Sequence, residues 1–134
     1  MFDILDIGAS GLQAQRTRLD TIAANIANVN TTRDAAGRPN PYRRRFVVLE
    51  PTRVGDAEVP GVRVKEIKLD QSPFTKRHEP WNPDADAQGY VSYPNIDTAI
   101  EYVNALEASR AYEANVTLLE TSKAMINSTL RLIA

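Results

Sequence analysis

IDTAIEYVNALEASRAYEANVTLLETSKAMINSTLRLI, residues 96–133, is the stretch on which the fold turns. No Gly or Pro follows Pro94, and most of its residues are good helix formers. Tyr112, Val116, Leu119, Ile126, Leu130 and Ile133 recur at helical spacings, with Lys123 in the one gap. A second line runs beside them: Ala111, Asn115, Leu118, Ser122, Met125, Thr129 and Leu132. The two lines make a broad apolar face over about three heptads, which predicts a long amphipathic helix of coiled-coil type. Asn95 or Asp97 is placed to cap its start. At ~1.5 Å per residue it would run roughly 55 Å, beyond the usual globular length. Such a helix needs a long partner.

Only residues 1–30 match it in period and reach. Leu5, Leu12, Leu19 and Ile26 lie seven apart, widened by Ile22, Ala23 and Val29. A core helix of a small globule would carry the same pattern; the matching period favours pairing with the C-terminal helix. Leu5, Leu12, Leu19 and Ile26 are expected to pack antiparallel against Leu118, Leu119, Met125, Ile126, Leu132 and Ile133. Gly8 and Gly11 weaken the first turns by up to ~1 kcal/mol each relative to Ala. Asn25 and Asn28 share a face of the last turn, in the polar knot Asn25–Thr32. Asn side chains bond spare backbone groups at such ends, so capping accounts for them.

Between the helical stretches the character changes. All 8 prolines fall between Gly37 and Pro94. Arg44–Glu50 (RRFVVLE) and Val62–Leu69 (VRVKEIKL) are rich in β-branched residues and predict strands, with Pro51–Gly61 as the loop between them. Arg43-Arg44-Arg45 is diluted by nearby acids and reads as a solvated or subunit-contacting strand end rather than a nucleic-acid patch. In Glu79–Asp97 (EPWNPDADAQGYVSYPNID), Asp84, Asp86, Gln88 and Gly89 imitate the first half of an EF-hand loop. Asn95 then stands where the bidentate Glu belongs, and Pro80 and Pro83 interrupt any leading helix. Turn chemistry explains these residues better, with Tyr90–Tyr93 extended.

The expected fold class is therefore mainly α: an antiparallel N-/C-terminal helical coiled-coil pair with a small β-rich insertion. The boundaries are an N-terminal helix in 1–30, the Pro/Gly-rich insertion in 31–94 and the C-terminal helix in 95–134.

Composition narrows function. Net charge is −1, so no overall field favours nucleic acid. With 0 Cys there are no disulfides, thiol nucleophiles or thiolate metal sites. No apolar run reaches the ~20 residues of a membrane span. The N-terminus, MFDILDIGASGLQ, lacks the basic region of a cleaved signal peptide. A lone histidine, His78, cannot complete a triad or a metal set, and no phosphate-cradling glycine loop occurs. The residues describe an interaction protein, with no catalytic, metal or cofactor site and no small-molecule substrate.

Two motifs carry a resemblance. The Asn25-x-x-Asn28-x-x-Thr31 ending of an N-terminal heptad helix is similar to the motif shared by bacterial flagellar axial proteins of the rod and hook. Pro83-Asp84-Ala85-Asp86-Ala87-Gln88-Gly89-Tyr90-Val91, Tyr93-Pro94-Asn95 and Ala108–Asn115 (ASRAYEAN) closely resemble the proximal rod proteins within that family, and Ser72-Pro73-Phe74 sits at a similar turn. The likeness covers essentially the whole chain. It departs at Lys76–Asn82 and Thr31–Ala36, both in expected surface loops. The resemblance implies a structural subunit of the basal-body rod that assembles through its terminal helices with itself and with other rod proteins. It implies contacts with the adaptor FliE and the flagellar export apparatus, export by the flagellar type III system without a cleaved signal, and a place in the periplasm. A soluble coiled-coil adaptor outside the flagellum is the alternative that the heptads alone permit. The expected helix-pairing and subunit interface comprises Leu5, Leu12, Leu19, Asn25, Ile26, Asn28, Tyr112, Asn115, Leu118, Leu119, Ser122, Met125, Ile126 and Leu132. Its polar members Asn115 and Ser122, with Thr129, are expected to meet the next subunit.

Overall fold

A computed structural model describes residues 2–134. Six elements follow one another: α1 (Asp3–Ala27), β1 (Arg45–Val54), β2 (Val59–Leu69), β3 (Thr75–His78), β4 (Tyr90–Tyr93) and α2 (Thr98–Ile133). The helices occupy the two heptad stretches. Asp97 caps α2, its Oδ1 accepting from the Ala99 and Ile100 amides at 3.0 and 3.4 Å. Asp3 and Asp6 in the first turn of α1 suit its positive end.

The helices run antiparallel. Gly8 stands against Leu119, Gly11 against Asn115, Arg18 against Glu107 and Asn25 against Glu101, each advance along α1 matched by a retreat along α2. In this register the start of α1 lies opposite about Lys123. Ile126 still lies beside Ile4, and roughly the last seven residues of α2, ~10 Å of helix, extend past the end of α1.

The seam between the helices is made of small and polar residues more than leucines. A Cβ on Gly8 would lie 2.7 Å from Leu119 Cδ2, and one on Gly11 would lie 2.9 Å from the Asn115 amide. The glycines are notches that let α2 approach, and this close packing offsets their ~1 kcal/mol propensity cost. Among the described residues the buried apolar side chains are few: Ala14, Ile22, Val91, Pro94, Ile96 and Ala108. Thr21, Asn25, Glu101 and Ser122 are buried beside them.

The expected mainly α class is overturned. Helix accounts for 46% of the chain and strand for 23%, in two separate small sheets. β1 and β2 form a long antiparallel hairpin whose register pairs Arg45 with Leu69 and Val54 with Val59, with a bulge between Val48 and Leu49. The predicted loop Pro51–Gly61 shrinks to a tight turn in which Gly55 and Glu58 take positive φ. The strands run on through Pro51 and Pro60 because both strands of a two-stranded ribbon are edges. Each proline can thus sit where its missing N–H would have pointed outward. The hairpin lies along α1, where the Val62 amide donates to Ser10 Oγ at 3.2 Å. A Cβ on Gly55 would collide with Asp6, so its tip passes close to the first turn of α1.

The second sheet pairs β3 with β4, Thr75 to Tyr93 and His78 to Tyr90. β4 is the extended stretch expected at Tyr90–Tyr93. β3 had no signal, since all four of its residues are exposed and three are basic or imidazole. Its register is held by ring contacts instead: Arg77 stacks 4.1 Å over Tyr93, and His78 meets Tyr90 edge-on with ring centroids 5.0 Å apart.

Candidate assembly surface

A polar clasp joins the helix pair to the hairpin. Glu101, in the first turn of α2, is fully buried. One of its oxygens accepts from Arg44 Nε in a close ion pair, and the other accepts from Asn25 Nδ2 at 3.2 Å. Arg44 Nη1 also reaches Asp70 at 3.2 Å, just past the end of β2. Asn95 closes the ring, accepting from the Arg44 amide at 2.9 Å and donating to the Asp70 and Ser72 carbonyls at 3.1 Å. Desolvation works against the charge of Arg44, but bonding to Glu101 and then Asp70 overrides it and raises the pKa of the guanidinium. Asp70 is held below the usual carboxylate range, first by the Ser72 hydroxyl and amide and then by Arg44, against a desolvation that pushes the other way.

The arginine run is therefore not a solvated strand end. Arg44 is the centre of the clasp. Arg43 donates to the Asp70 and Ser72 carbonyls at 2.8 and 3.0 Å while stacking 4.2 Å over Phe74, and only Arg45 has an exposed side chain. Asp84 pairs with Arg33 through two bonds of 2.9 and 2.8 Å that tie the 33–39 loop to the 79–89 loop. Asp86 turns its carboxylate on the Gln88 and Tyr90 amides at 2.8 and 3.0 Å, the Tyr90 bond being the chief cause of its lowered pKa. Both carboxylates are engaged in the turn chemistry read from the sequence.

The residues expected at the interface divide into two groups. Leu5, Leu12, Leu19, Ile26, Tyr112, Asn115, Leu119 and Ile126 are half-buried, and Ser122 is buried. Ser122 and Asn115 bond back to the Leu118 and Ala111 carbonyls at 2.7 and 3.0 Å. In this chain, Ser122 is thus withdrawn from solvent and Asn115 is spent on its own α1–α2 contact, while Thr129 is exposed on the overhang. Leu118, Met125 and Leu132 are 39%, 66% and 88% exposed and lie outside the seam, as does Ile133. The heptad reading placed them inside because an apolar pattern alone leaves the register of the pair open. The glycine notches set a register that leaves these side chains beyond α1 or on its far side. Asn28 caps, donating to the Ala24 carbonyl at 2.8 Å and accepting from the Thr31 hydroxyl at 3.1 Å. Asn25 does not. It is buried and bonded to β1 and α2.

Besides Phe46, Leu49, Ile67 and Leu69 on the hairpin, two apolar areas of the helices remain open. One is the start of α2, at Ile100, Tyr102, Val103 and Leu106. The other is the overhang, at Met125, Leu130, Leu132 and Ile133, continuing onto Phe2 and Ile4 of the α1 end. Trp81, in the loop before β4, is 80% exposed. Sequence reading missed Glu101 and Asp70, and gave Arg44 to a strand end and Asn95 to a possible helix cap, where the structure puts all four in one clasp. The only available hint was a carboxylate directly inside the cap of α2, which a helix dipole explains equally well.

Comparison with known proteins decides what this surface belongs to. A family model described as flagella basal body rod protein matches residues 5–33, and one described as flagellar basal body rod FlgEFG protein C-terminal matches residues 87–132. The chain is 42% identical over 132 residues to the flagellar basal-body rod protein FlgC of Escherichia coli O157:H7, covering 98% of this chain and 97% of the relative. The chain belongs to the FlgC family of flagellar basal-body rod proteins. FlgC of Borreliella burgdorferi is 38% identical over 151 residues, covering 99% of this chain and 97% of the relative. FlgC of Bacillus subtilis is 37% identical over 145 residues, covering 98% and 97%. This FlgC-family chain is a structural subunit of the flagellar basal body, assembled with other components of that body, and not an enzyme. These relatives lend no support to the alternative of an adaptor outside the flagellum. Asn25 and Glu101 each lie within one of the two family matches, and the hairpin between them lies outside both.

Proposed function

We propose that the chain is built into a helical axial tube through the two open faces of its helices, the overhang of α2 and the strip Ile100–Leu106. The observation that carries this reading is the overhang: a helix of 36 residues beside one of 25, with Met125, Leu130, Leu132 and Ile133 turned to solvent. Exposed apolar helix ends bury their surface against a neighbour, and contacts between unlike faces of successive subunits generate tubes and filaments rather than closed dimers. The half-buried residues Leu5, Leu12, Leu19, Ile26, Tyr112, Leu119 and Ile126 hold the subunit's own helices together. In this reading the chain passes through the flagellar type III apparatus without a cleaved signal and is laid down in the periplasm, where FliE and the export apparatus are among its neighbours. The small apolar core suits a chain that travels unfolded and completes its fold on assembly.

Two substitutions separate the roles. Leu132→Asp on the overhang leaves helical circular dichroism and secretion unchanged but removes the chain from isolated basal bodies. Leu119→Asp in the seam lowers both helix content and incorporation. Normal incorporation of the Leu132→Asp chain would sink the proposal.

A further inference from the structure

Asn25 makes three hydrogen bonds to two other elements from a side chain with no exposed surface. Its Nδ2 donates to the Arg45 carbonyl at 2.7 Å and to Glu101 at 3.2 Å, and its Oδ1 accepts from the Arg45 amide at 3.0 Å. The two bonds to Arg45 are the pattern that a strand residue exchanges with its antiparallel neighbour. Here a helix side chain supplies them, at the free edge of the first residue of β1. A primary amide meets this demand because it offers an acceptor and two donors in one plane. The second donor goes to α2. Glu101 can only accept, so it orients the amide with its NH₂ inward and leaves the carbonyl oxygen facing Arg45.

We propose that Asn25 is a latch that makes the seating of the β1–β2 hairpin conditional on the pairing of α1 with α2. With α2 absent, the amide has no orienting acceptor and Arg44 loses its buried partner. The hairpin then keeps its two bonds to Asn25 on an amide that nothing else holds in plane, and weaker ties to α1 such as the Val62–Ser10 bond. With α2 in place, one planar group fixes helix, helix and ribbon together. The insertion is thereby carried in one orientation by a helix pair that forms first or at the same moment.

The chain contains 0 cysteines, so engineered pairs report without background. Arg18→Cys with Glu107→Cys, at the site of the 3.3 Å ion pair, reads helix pairing. Gln13→Cys with Val64→Cys, across the cleft between α1 and β2, reads hairpin seating. Both are closed with a short bismaleimide in the full-length chain, in solution and in isolated basal bodies. Asn25→Ala should cut closure of the hairpin pair about tenfold while the helix pair still closes, in keeping with the loss of two to three hydrogen bonds. Asn25→Asp keeps the volume of the side chain, removes both donors and sets a carboxylate against Glu101; it decides the matter where the alanine variant loses both closures. Glu101→Ala, distant in sequence from the hairpin, should reduce hairpin closure as well. Loss of both closures in Asn25→Asp, loss of neither, or wild-type hairpin closure in Glu101→Ala would overturn the proposal.

Discussion

Replacing Glu101 by Ala tests the clasp directly. The substitution removes the acceptor of two donors at once, Arg44 Nε and Asn25 Nδ2. Arg44 is not stranded: it keeps Asp70 at 3.2 Å, and its side chain is 21% exposed, so water recovers part of the loss. About 1–2 kcal/mol is reasonable for the guanidinium, against the ~3–5 kcal/mol of a wholly buried broken pair. The Asn25 amide has no solvent to turn to, and its unmet N–H adds about 1–2 kcal/mol. The better helix propensity of Ala returns only a few tenths of a kcal/mol. The sum is about 3 kcal/mol, or roughly 10 °C in melting temperature for a chain of this length. Glu101→Gln keeps the shape and an acceptor but loses the charge, and should cost about half as much. Thermal and urea unfolding followed by circular dichroism measure both. An alanine variant melting within about 2 °C of the parent would refute the reasoning, because Glu101 would then contribute no more than an exposed helix residue.

Two further outcomes follow from the same geometry. Gly8→Ala sets a helix gain of about 1 kcal/mol against crowding at Leu119 of about 1–3 kcal/mol and should come out between neutral and about 2 kcal/mol destabilising, whereas Gly8→Val, bulkier and a poorer helix former, should cost more than the alanine variant does. A valine variant as stable as the parent in urea unfolding would mean that the helices do not close as described. Asp70 and Asp86 have folded-state pKa values below the usual carboxylate range, so their contribution is complete above the unfolded value of about 4 and is lost as pH falls through the lowered folded values. Stability should hold flat from neutrality to about pH 5 and decline below about pH 4, with Asp70→Asn blunting the decline; a loss already complete at pH 6 would contradict the assignment.

What could be read from residues alone was periodic or local. The heptads of α1 and α2 and the Asp97 cap needed only spacing and side-chain chemistry. The register of the helix pair was not legible, because it rests on the absence of side chains at Gly8 and Gly11. A hydrophobic pattern records where apolar groups lie and cannot record where backbone may approach. Pro51 and Pro60 were read as breaking strands, since nothing in the sequence says that a ribbon will have two free edges. β3 lacked any apolar alternation and is recruited by rings on β4. The assignment of Asn25 to a cap was the nearest local use for an amide at a helix end. Its partners, Arg45 and Glu101, lie 20 and 76 residues away. The clasp is illegible for the same reason: four ordinary polar residues become a site only when the chain folds them together.

The prolines of the hairpin have a consequence for how the chain associates. Along β1 the outward backbone groups of Arg45 are taken by Asn25, and Pro51 has no amide to offer. Along β2 Pro60 has none either, the Val62 amide is held by Ser10, and Lys65, Glu66 and Lys68 carry charge to the far end. A strand from another copy would find each edge interrupted, and interrupted edges resist the stacking that leads to cross-β aggregates. A subunit that assembles with other components of the basal body is crowded against neighbours where it does its work. Here both edges of the ribbon are interrupted against that stacking, and most of the large apolar side chains left exposed are on the helices.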